Sequence, residues 1–383
     1  MERANIRLGK IFGIPVGMSW TLMVVVWLFS LGLAEGHFPA ESPGHTSVSY
    51  WLAALVTVVV FFGSVLAHEL AHALMAKRYG IRTEDITLWM LGGVARLTET
   101  PKTPAAQAKI AGIGPITSGA IGALLLAASW GVAQIGEEPL VVSVLRWLGG
   151  INLLMAAFNS LPASPLDGGS VLSAIIWWRK KNAQKGQIGA AQAGRILGAG
   201  LLGFGAIRML MMGDTYGLWG MLIGWFIWQN AQLELRGAEA RNLLQGLTAV
   251  EATIPDPPII DEGLTVDGLI AMMGATPNHS AFVVRESDGV LRSVITMDDI
   301  RQIPPNRRSQ MLLRDAAIPI EQLTTAWDTD SLLDVIERAA TASRPEIVVY
   351  DDRMCLVGVI SREDLIRLAT HPPKPRARSR DHG

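Results

Sequence analysis

The chain has 383 residues, of which 50% are hydrophobic and 17% charged, with a formal net charge of −1. That charged fraction is below the usual quarter, and the near-neutral balance excludes a global pull toward nucleic acid. Cys355 is the one cysteine, which excludes both an internal disulfide framework and a cysteine-rich zinc site.

Long uncharged runs place much of the chain in a membrane. Arg3, Arg7 and Lys10 precede a first run from Ile11 to Ala34, which is too long for a cleavable secretory signal and has no clear cleavage site after it. Glu35 to Glu41 supplies acid, histidine and proline but no Lys or Arg. Ser42 to Ala67 is a second uncharged run, ending in Ala67-His68-Glu69-Leu70-Ala71-His72-Ala73, and Lys77, Arg78 and Arg82 follow.

The pattern H-E-x-x-H has a physical reason. On a helix, positions four apart share one face, so His68 and His72 can offer imidazole nitrogens to one zinc ion. Glu69, beside the first ligand, is placed to take a proton from water activated there. A soluble helix carrying the same five residues could present only a polar face. Ionisable groups at membrane depth are costly and default to function, which favours the metal reading here.

Further along, Ile86, Leu88 and Met90 alternate with Thr87 and Trp89, and Gly92-Gly93 interrupts before Val94 to Leu97. This reads as strand, glycine turn, strand. Its exposed edge could pair with an unwound substrate segment by strand addition; the plainer reading is a structural re-entrant hairpin. Ile110 to Gly136 is a third run, rich in small residues that let membrane helices approach closely. Glu137, Glu138 and Pro139 make the next turn. A fourth span runs from about Leu140 to Leu161 and breaks into Pro162-Ala163-Ser164-Pro165-Leu166-Asp167-Gly168-Gly169. Ile196 to Ile207 is a short fifth span that needs extension past Arg195 or Arg208, and Thr215 to Leu233 a sixth with Trp219, Trp225 and Trp228. Basic residues cluster before span one, between two and three, and between four and five. The positive-inside rule then puts both termini in the cytoplasm.

Asp167 stands on what reads as irregular backbone, with proline before it and glycines freeing the backbone after it. It is either a third metal ligand or an ordinary turn aspartate.

After Arg236 the composition changes, and Pro255, Pro257 and Pro258 mark a linker. Beyond it lie two similar soluble units, an internal repeat of roughly 60 residues. The first runs through Val266–Met273, Ala281–Val284 and Val294–Ile300; the second through Leu332–Ala340, Ile347–Tyr350 and Val359–Leu365. Each closes on a Ser/Thr-x-x-Asp that opens a helix. The tail from Pro372 is basic and proline-rich, expected to be disordered.

H-E-L-A-H after an apolar helix, joined to L-P-A-S-P-L-D-G-G in a later span and to Leu91-Gly92-Gly93-Val94-Ala95, resembles the site-2 protease family of intramembrane zinc metalloproteases, especially an actinobacterial form. The resemblance implies His68, His72 and Asp167 as ligands to one Zn2+ and Glu69 as general base. Many members carry G-P-x-x-N in the third span; here Gly114-Pro115-Ile116-Thr117-Ser118 puts Ser118 at the Asn position, which puts its part in transition-state stabilisation in doubt. Ser118, Asn159, Gly92 and Gly93 are candidate substrate contacts, Asn159 equally a packing amide. The repeats resemble a tandem pair of CBS domains. Thr296, Asp299, Ser361 and Asp364 then become candidates for an adenosine nucleotide, the carboxylates accepting from ribose hydroxyls and the helix N-terminus favouring phosphate; pairing or homodimerisation without ligand is the competing reading.

The expectation is a polytopic α-helical membrane protein of about six transmembrane helices with a small β-hairpin, plus a soluble α/β tandem CBS module. Its parts are 1–235 membrane metalloprotease, 236–258 linker, 259–310 first repeat, 311–370 second repeat and 371–383 tail. The activity implied is intramembrane endoproteolysis of a transmembrane protein, by resemblance an anti-sigma factor or other signalling protein, in a bacterial plasma membrane and under control of the CBS pair. A catalytically silent scaffold and a CBS-gated transporter are the rivals. The intact His68, Glu69, His72 and Asp167 argue against the first, and the coupled H-E-x-x-H and distant D-G against the second.

Overall fold

The computed structural model describes residues 5–90, 92–136, 139–253, 257–273, 279–342 and 344–370. Leu91 of the glycine turn, the turn acids Glu137 and Glu138, Pro255 and the tail from 371 lie outside the described residues. The chain divides into two compact units, Met1–Ala238 and Glu239–Gly383.

The first unit opens with a feature the composition hides. Ile11 to Trp20, expected as the start of span one, is not helical. Strands β1 (Ile6–Ile11) and β2 (Ile14–Met18) form a hairpin in register Ile6↔Met18 to Ile11↔Ile14. Its turn, Phe12 and Gly13, has φ of 51° and 84°, the left-handed pair that matches strand twist in a two-residue loop. The first span therefore starts at α1 (Thr21–Gly32) and continues through a π turn, Leu33–His37, into α2 (Phe38–Glu41). The stretch from Glu35 to Glu41, poor in Lys and Arg, is thus helical.

Next comes α3 (Ser47–Arg78), capped by Thr46, whose hydroxyl accepts from Ser49 N, and closed by Lys77 and Arg78 at the negative end of its dipole. Strands β3 (Thr83–Trp89) and β4 (Gly92–Leu97) make the expected hairpin. Met90 lies in its turn, and Gly92 and Gly93 begin β4 instead of forming the bend. Strand β2 pairs parallel to β3, so the sheet order is β1-β2-β3-β4. The sheet packs on the motif helix through Ile14, Ile86 and Ala73.

Helices α4 (Pro104–Gln134) and α5 (Pro139–Asn159) follow. Gly122 lies so close to α5 that a Cβ there would come within 2.9 Å of Gly149 O and Leu153 N, the close approach expected of small residues. Asp167, expected on irregular backbone, instead opens α6 (Asp167–Lys180). Its glycines also do not serve backbone freedom. Added Cβ atoms would strike the carbonyls of Ser160 and Leu161 at Gly168, and the backbone of Ala163 and Ser164 at Gly169. Helices α7 (Ala183–Met212) and α8 (Tyr216–Leu244) complete the series, α7 taking in both Arg195 and Arg208. Among the described residues five helices are long and apolar enough to cross a membrane: Thr21–Glu41, Ser47–Arg78, Pro104–Gln134, Pro139–Asn159 and Ala183–Met212. The sixth expected span, on α8, is not among them; its tryptophans and Gln229, Asn230 and Gln232 dilute its hydropathy.

The second unit holds two related layers. The first repeat comprises β5 (Ile259–Asp261), α10 (Val266–Met273), β6 (Ala281–Arg285), β7 (Leu291–Thr296) and α11 (Met297–Gln302), preceded by the short α9 (Ala249–Ala252). Short helices α12 (Pro305–Arg308) and α13 (Leu313–Ala316) lead to β8 (Ile318–Pro319), which adds to β7. The second repeat comprises β9 (Thr324–Trp327), α14 (Leu332–Thr341), β10 (Ile347–Tyr350), β11 (Leu356–Ile360) and α15 (Arg362–Thr370). In each repeat the leading strand runs parallel to a middle strand that pairs antiparallel with the third. Leu244, Ala249 and Ala252, within the stretch expected as linker, pack with Leu332, Ile347 and Ile360 in the core of the second repeat.

Candidate metal centre

His68 and His72 lie one turn apart in the interior of α3, and their ring centroids are 4.8 Å apart. Asp167, first residue of α6, closes the third corner. Its Oδ2 stands 3.1 Å from His68 Nε2 and 3.3 Å from His72 Nε2. His68 is buried at 4% exposure.

The other ring nitrogens settle the chemistry of this cluster. His72 Nδ1 is 2.6 Å from the carbonyl oxygen of Ile110. A carbonyl only accepts, so Nδ1 carries the proton and donates, and in the neutral ring Nε2 keeps its lone pair. That lone pair faces a carboxylate oxygen. Either a proton on Nε2 or a metal ion between them makes that approach favourable, and two imidazole nitrogens and one carboxylate oxygen converging on one point are a donor set that fits zinc. His68 Nδ1 is tied to Ser118 Oγ at 2.8 Å, the kind of outer contact that orients metal-ligating imidazoles.

Both ties come from one helix. Ile110, Gly114 and Ser118 are spaced by four along α4, and so are His72 and His68 along antiparallel α3. Between the two ties, Gly114 leaves the space empty: a Cβ there would collide with Nε2 of both histidines. Ser118 is fully buried behind His68. Its hydroxyl meets the ring, a different placement from the expected substrate contact.

Asp167 is held by its own loop. Ser164 N donates to Ala190 O of α7 at 3.1 Å, and Ser164 Oγ donates to the Glu234 carboxylate of α8. Gln107 of α4 donates to Ser170 O at 3.1 Å. Glu69 lies against β4, where a Cβ on Gly93 would run into its side chain. Gly92 lies beside it on the same strand, and the far edge of β4 is unpaired among the described residues. Asn159 ends α5, half-buried, ahead of the Asp167 loop.

The soluble candidates are arranged differently. Thr296 and Asp299 form a reciprocal cap on α11, and Asp299 Oδ1 accepts from Arg344 Nη1 at 2.8 Å. Asp364 Oδ2 accepts from Ser361 Oγ at 2.7 Å and from Ser280 Oγ at 2.9 Å. Its Oδ1 accepts from Arg367. Each repeat's carboxylate is therefore engaged by a donor from the other repeat.

A family model described as Peptidase family M50 matches residues 56–138 and 131–201, and a CBS domain model matches residues 314–371. Rip3 of Mycobacterium tuberculosis (strain H37Rv), named for a zinc metalloprotease, is 34% identical over 96% of this chain and 93% of its own. A Synechocystis sp. (strain PCC 6803) protein named in the same way, sll0528, is 33% identical over 95% of each. The solved Site-2 Protease from Methanocaldococcus jannaschii is 31% identical, covers 60% of this chain and 94% of its own, and superposes with a TM-score of 0.41.

Proposed function

The chain belongs to peptidase family M50 and is a membrane zinc metalloprotease, and on that premise we propose that His68, His72 and Asp167 hold the zinc and that Glu69 is the general base. The observation that carries this is the facing of two imidazole Nε2 atoms and one carboxylate oxygen, with the outer nitrogens already tied.

Zinc, when bound, supplies a Lewis acid that polarises a carbonyl and makes water nucleophilic near neutral pH. The residues do the rest. Glu69 takes a proton from the attacking water, whose oxygen adds to the substrate carbonyl carbon, and returns it to the nitrogen as the C–N bond breaks. Ser118 and the Ile110 carbonyl keep both rings aimed. The free edge of β4, beginning at Gly92 and Gly93, offers backbone partners to an unwound substrate segment, and Asn159 stands at the mouth of the Asp167 loop. The substrate we infer is a transmembrane protein, cleaved within the bilayer as a regulated step; an anti-sigma factor is the finer reading from family resemblance. The basic clusters after α3 and α6 support a plasma-membrane topology with both termini cytoplasmic.

For the CBS pair, a nucleotide ribose would have to displace Arg344 from Asp299 or Ser280 from Asp364. This favours a module that ties two repeats together, and by resemblance two copies, over an adenosine sensor. Millimolar AMP or ATP should leave the Tm of the full chain unchanged; a saturable rise would restore the nucleotide reading.

The site is tested by elemental analysis after chelator-free purification. About one zinc per chain in the wild type, lost in both His68→Ala and Asp167→Ala, is the expected result. Zinc retained by Asp167→Ala would remove the third ligand.

A further inference from the structure

We propose that the cavity on the far flank of Asp167 selects the substrate residue next to the scissile bond, and that it takes an apolar side chain. This rests on the metalloprotease reading above and names its specificity.

The cavity measures about 370 Å³ and lies between α4 and α6, with Gly112, Ile116, Ser160, Asp167, Leu172 and Ile175 among its walls. That is within the range of sites that enclose small ligands, ~300–1,000 Å³. Asp167 is the shared wall, because the same side chain meets both histidines. A peptide with its carbonyl at the ligand set therefore has an adjacent side chain beside this space.

The chemistry of the walls decides what fits. Apart from Asp167, the one polar side chain among them is Ser160, and its hydroxyl already donates to Ala156 O at 2.7 Å. An uncharged polar side chain entering would lose water and find no free side-chain donor for its acceptor atoms, and an acidic one would meet Asp167. An apolar side chain loses nothing. The rim is apolar as well: Ile116 and Ile175 are 66% and 44% exposed, on helices we read as lying in or against the bilayer. A transmembrane segment can thus reach the cavity from the lipid side.

The depth is set by one missing side chain. A Cβ built on Gly112 meets nothing within 4 Å, whereas one on Gly114 would collide with the histidines. Two glycines half a turn apart on α4 thus do different work. Gly114 keeps room for the ligand set, and Gly112 keeps room beside it.

The test uses the full-length zinc-loaded protein and model transmembrane segments that vary at one position through Ala, Leu, Phe, Asn and Asp, with cleavage sites read by mass spectrometry. Wild type should cleave beside Leu or Phe in preference to Ala and reject Asn and Asp. Gly112→Leu should lower the Leu-to-Ala ratio of kcat/KM by about tenfold or more, the scale at which pocket size discriminates. Leu172→Ala should raise the Phe-to-Leu ratio. Zinc content confirms that each variant is folded, and Gly112→Ala, a helix-favouring change, carries the same test if Gly112→Leu loses metal. Segment binding to Glu69→Gln, with and without Gly112→Leu, reads the same preference without turnover. Side-chain preference in binding with no cleavage by wild type would keep the pocket and sink the protease reading. A Leu-to-Ala ratio unmoved by filling Gly112, in zinc-bearing protein, would overturn the pocket.

Discussion

The two units treat buried polar side chains in opposite ways. In the membrane unit His68, His72 and Asp167 converge two ring nitrogens and one carboxylate oxygen on one point, with room that Gly114 keeps open. In the soluble unit Asp299 and Asp364, at 8% and 3% exposure, are buried more deeply than the half-buried His72 and Asp167, and each meets a donor from the other repeat. The difference we read between a candidate site and a fastening is whether polar atoms converge on one shared point or are matched by donors within the fold.

The contrast can be broken by experiment. The largest effect expected is from Glu69→Gln. It should lower kcat by about 10²–10⁴, the usual worth of a general base, while zinc content stays at wild type; loss of zinc in this variant would make Glu69 a ligand instead. Next, Ser118→Ala should weaken zinc binding by about 10–100-fold, as outer-contact changes do, measured by chelator competition. An unchanged affinity would show that the His68 ring needs no tie. In the soluble unit Asp364→Ala should leave zinc and cleavage alone and lower stability by ~1.5 kcal/mol, since hydroxyls of Ser280 and Ser361 lose a charged acceptor; chemical denaturation of the full chain reads it.

The smallest effect sharpens the contrast by its exception. Glu346 is buried at 5% exposure, and its Oε2 has no hydrogen-bond partner among the described residues. Burial, then the nearby Asp299 and Asp298 carboxylates, hold its pKa above the ordinary 4.5. A carboxyl raised on folding binds its proton more tightly in the folded state. Its penalty is absent below about pH 4.5 and sets in as pH rises through the folded value. Glu346→Gln should therefore raise stability at neutral pH by ~1 kcal/mol and flatten the pH dependence above 4.5. Equal slopes in both proteins would show that Glu346 is not the group responsible.

How far these features were legible in sequence follows from the range of the interactions. The juxtaposition of the histidine pair was legible because four-residue spacing is a local property of a helix, and Asp167 was singled out by the family resemblance of its D-G motif. The hairpin at Ile6–Met18 was not, because its second strand, Ile14–Met18, is uncharged and continuous in hydropathy with the span that follows, and the left-handed turn at Phe12-Gly13 shows only in the structure. The role of Ile110 had no signature at all, since it acts through a carbonyl that every residue carries. Ser118 was noticed for what it replaces, and its use by His68 depends on a helix contact fifty positions away in sequence. Arg344 and Ser280 likewise reach carboxylates in the other repeat, a pairing that no local pattern encodes.

The stripe Ile110–Gly114–Ser118 has a consequence for how this chain can change over generations. One helix supplies the support for both imidazoles and the clearance between them, so the three functions are inherited together as a single alignment of α4 on α3. A residue inserted between 110 and 118 would rotate at least one support away and push a side chain into the gap, although composition and hydropathy would barely change. Length changes within this short segment are closed, even where single substitutions on the outward faces of these helices are tolerated.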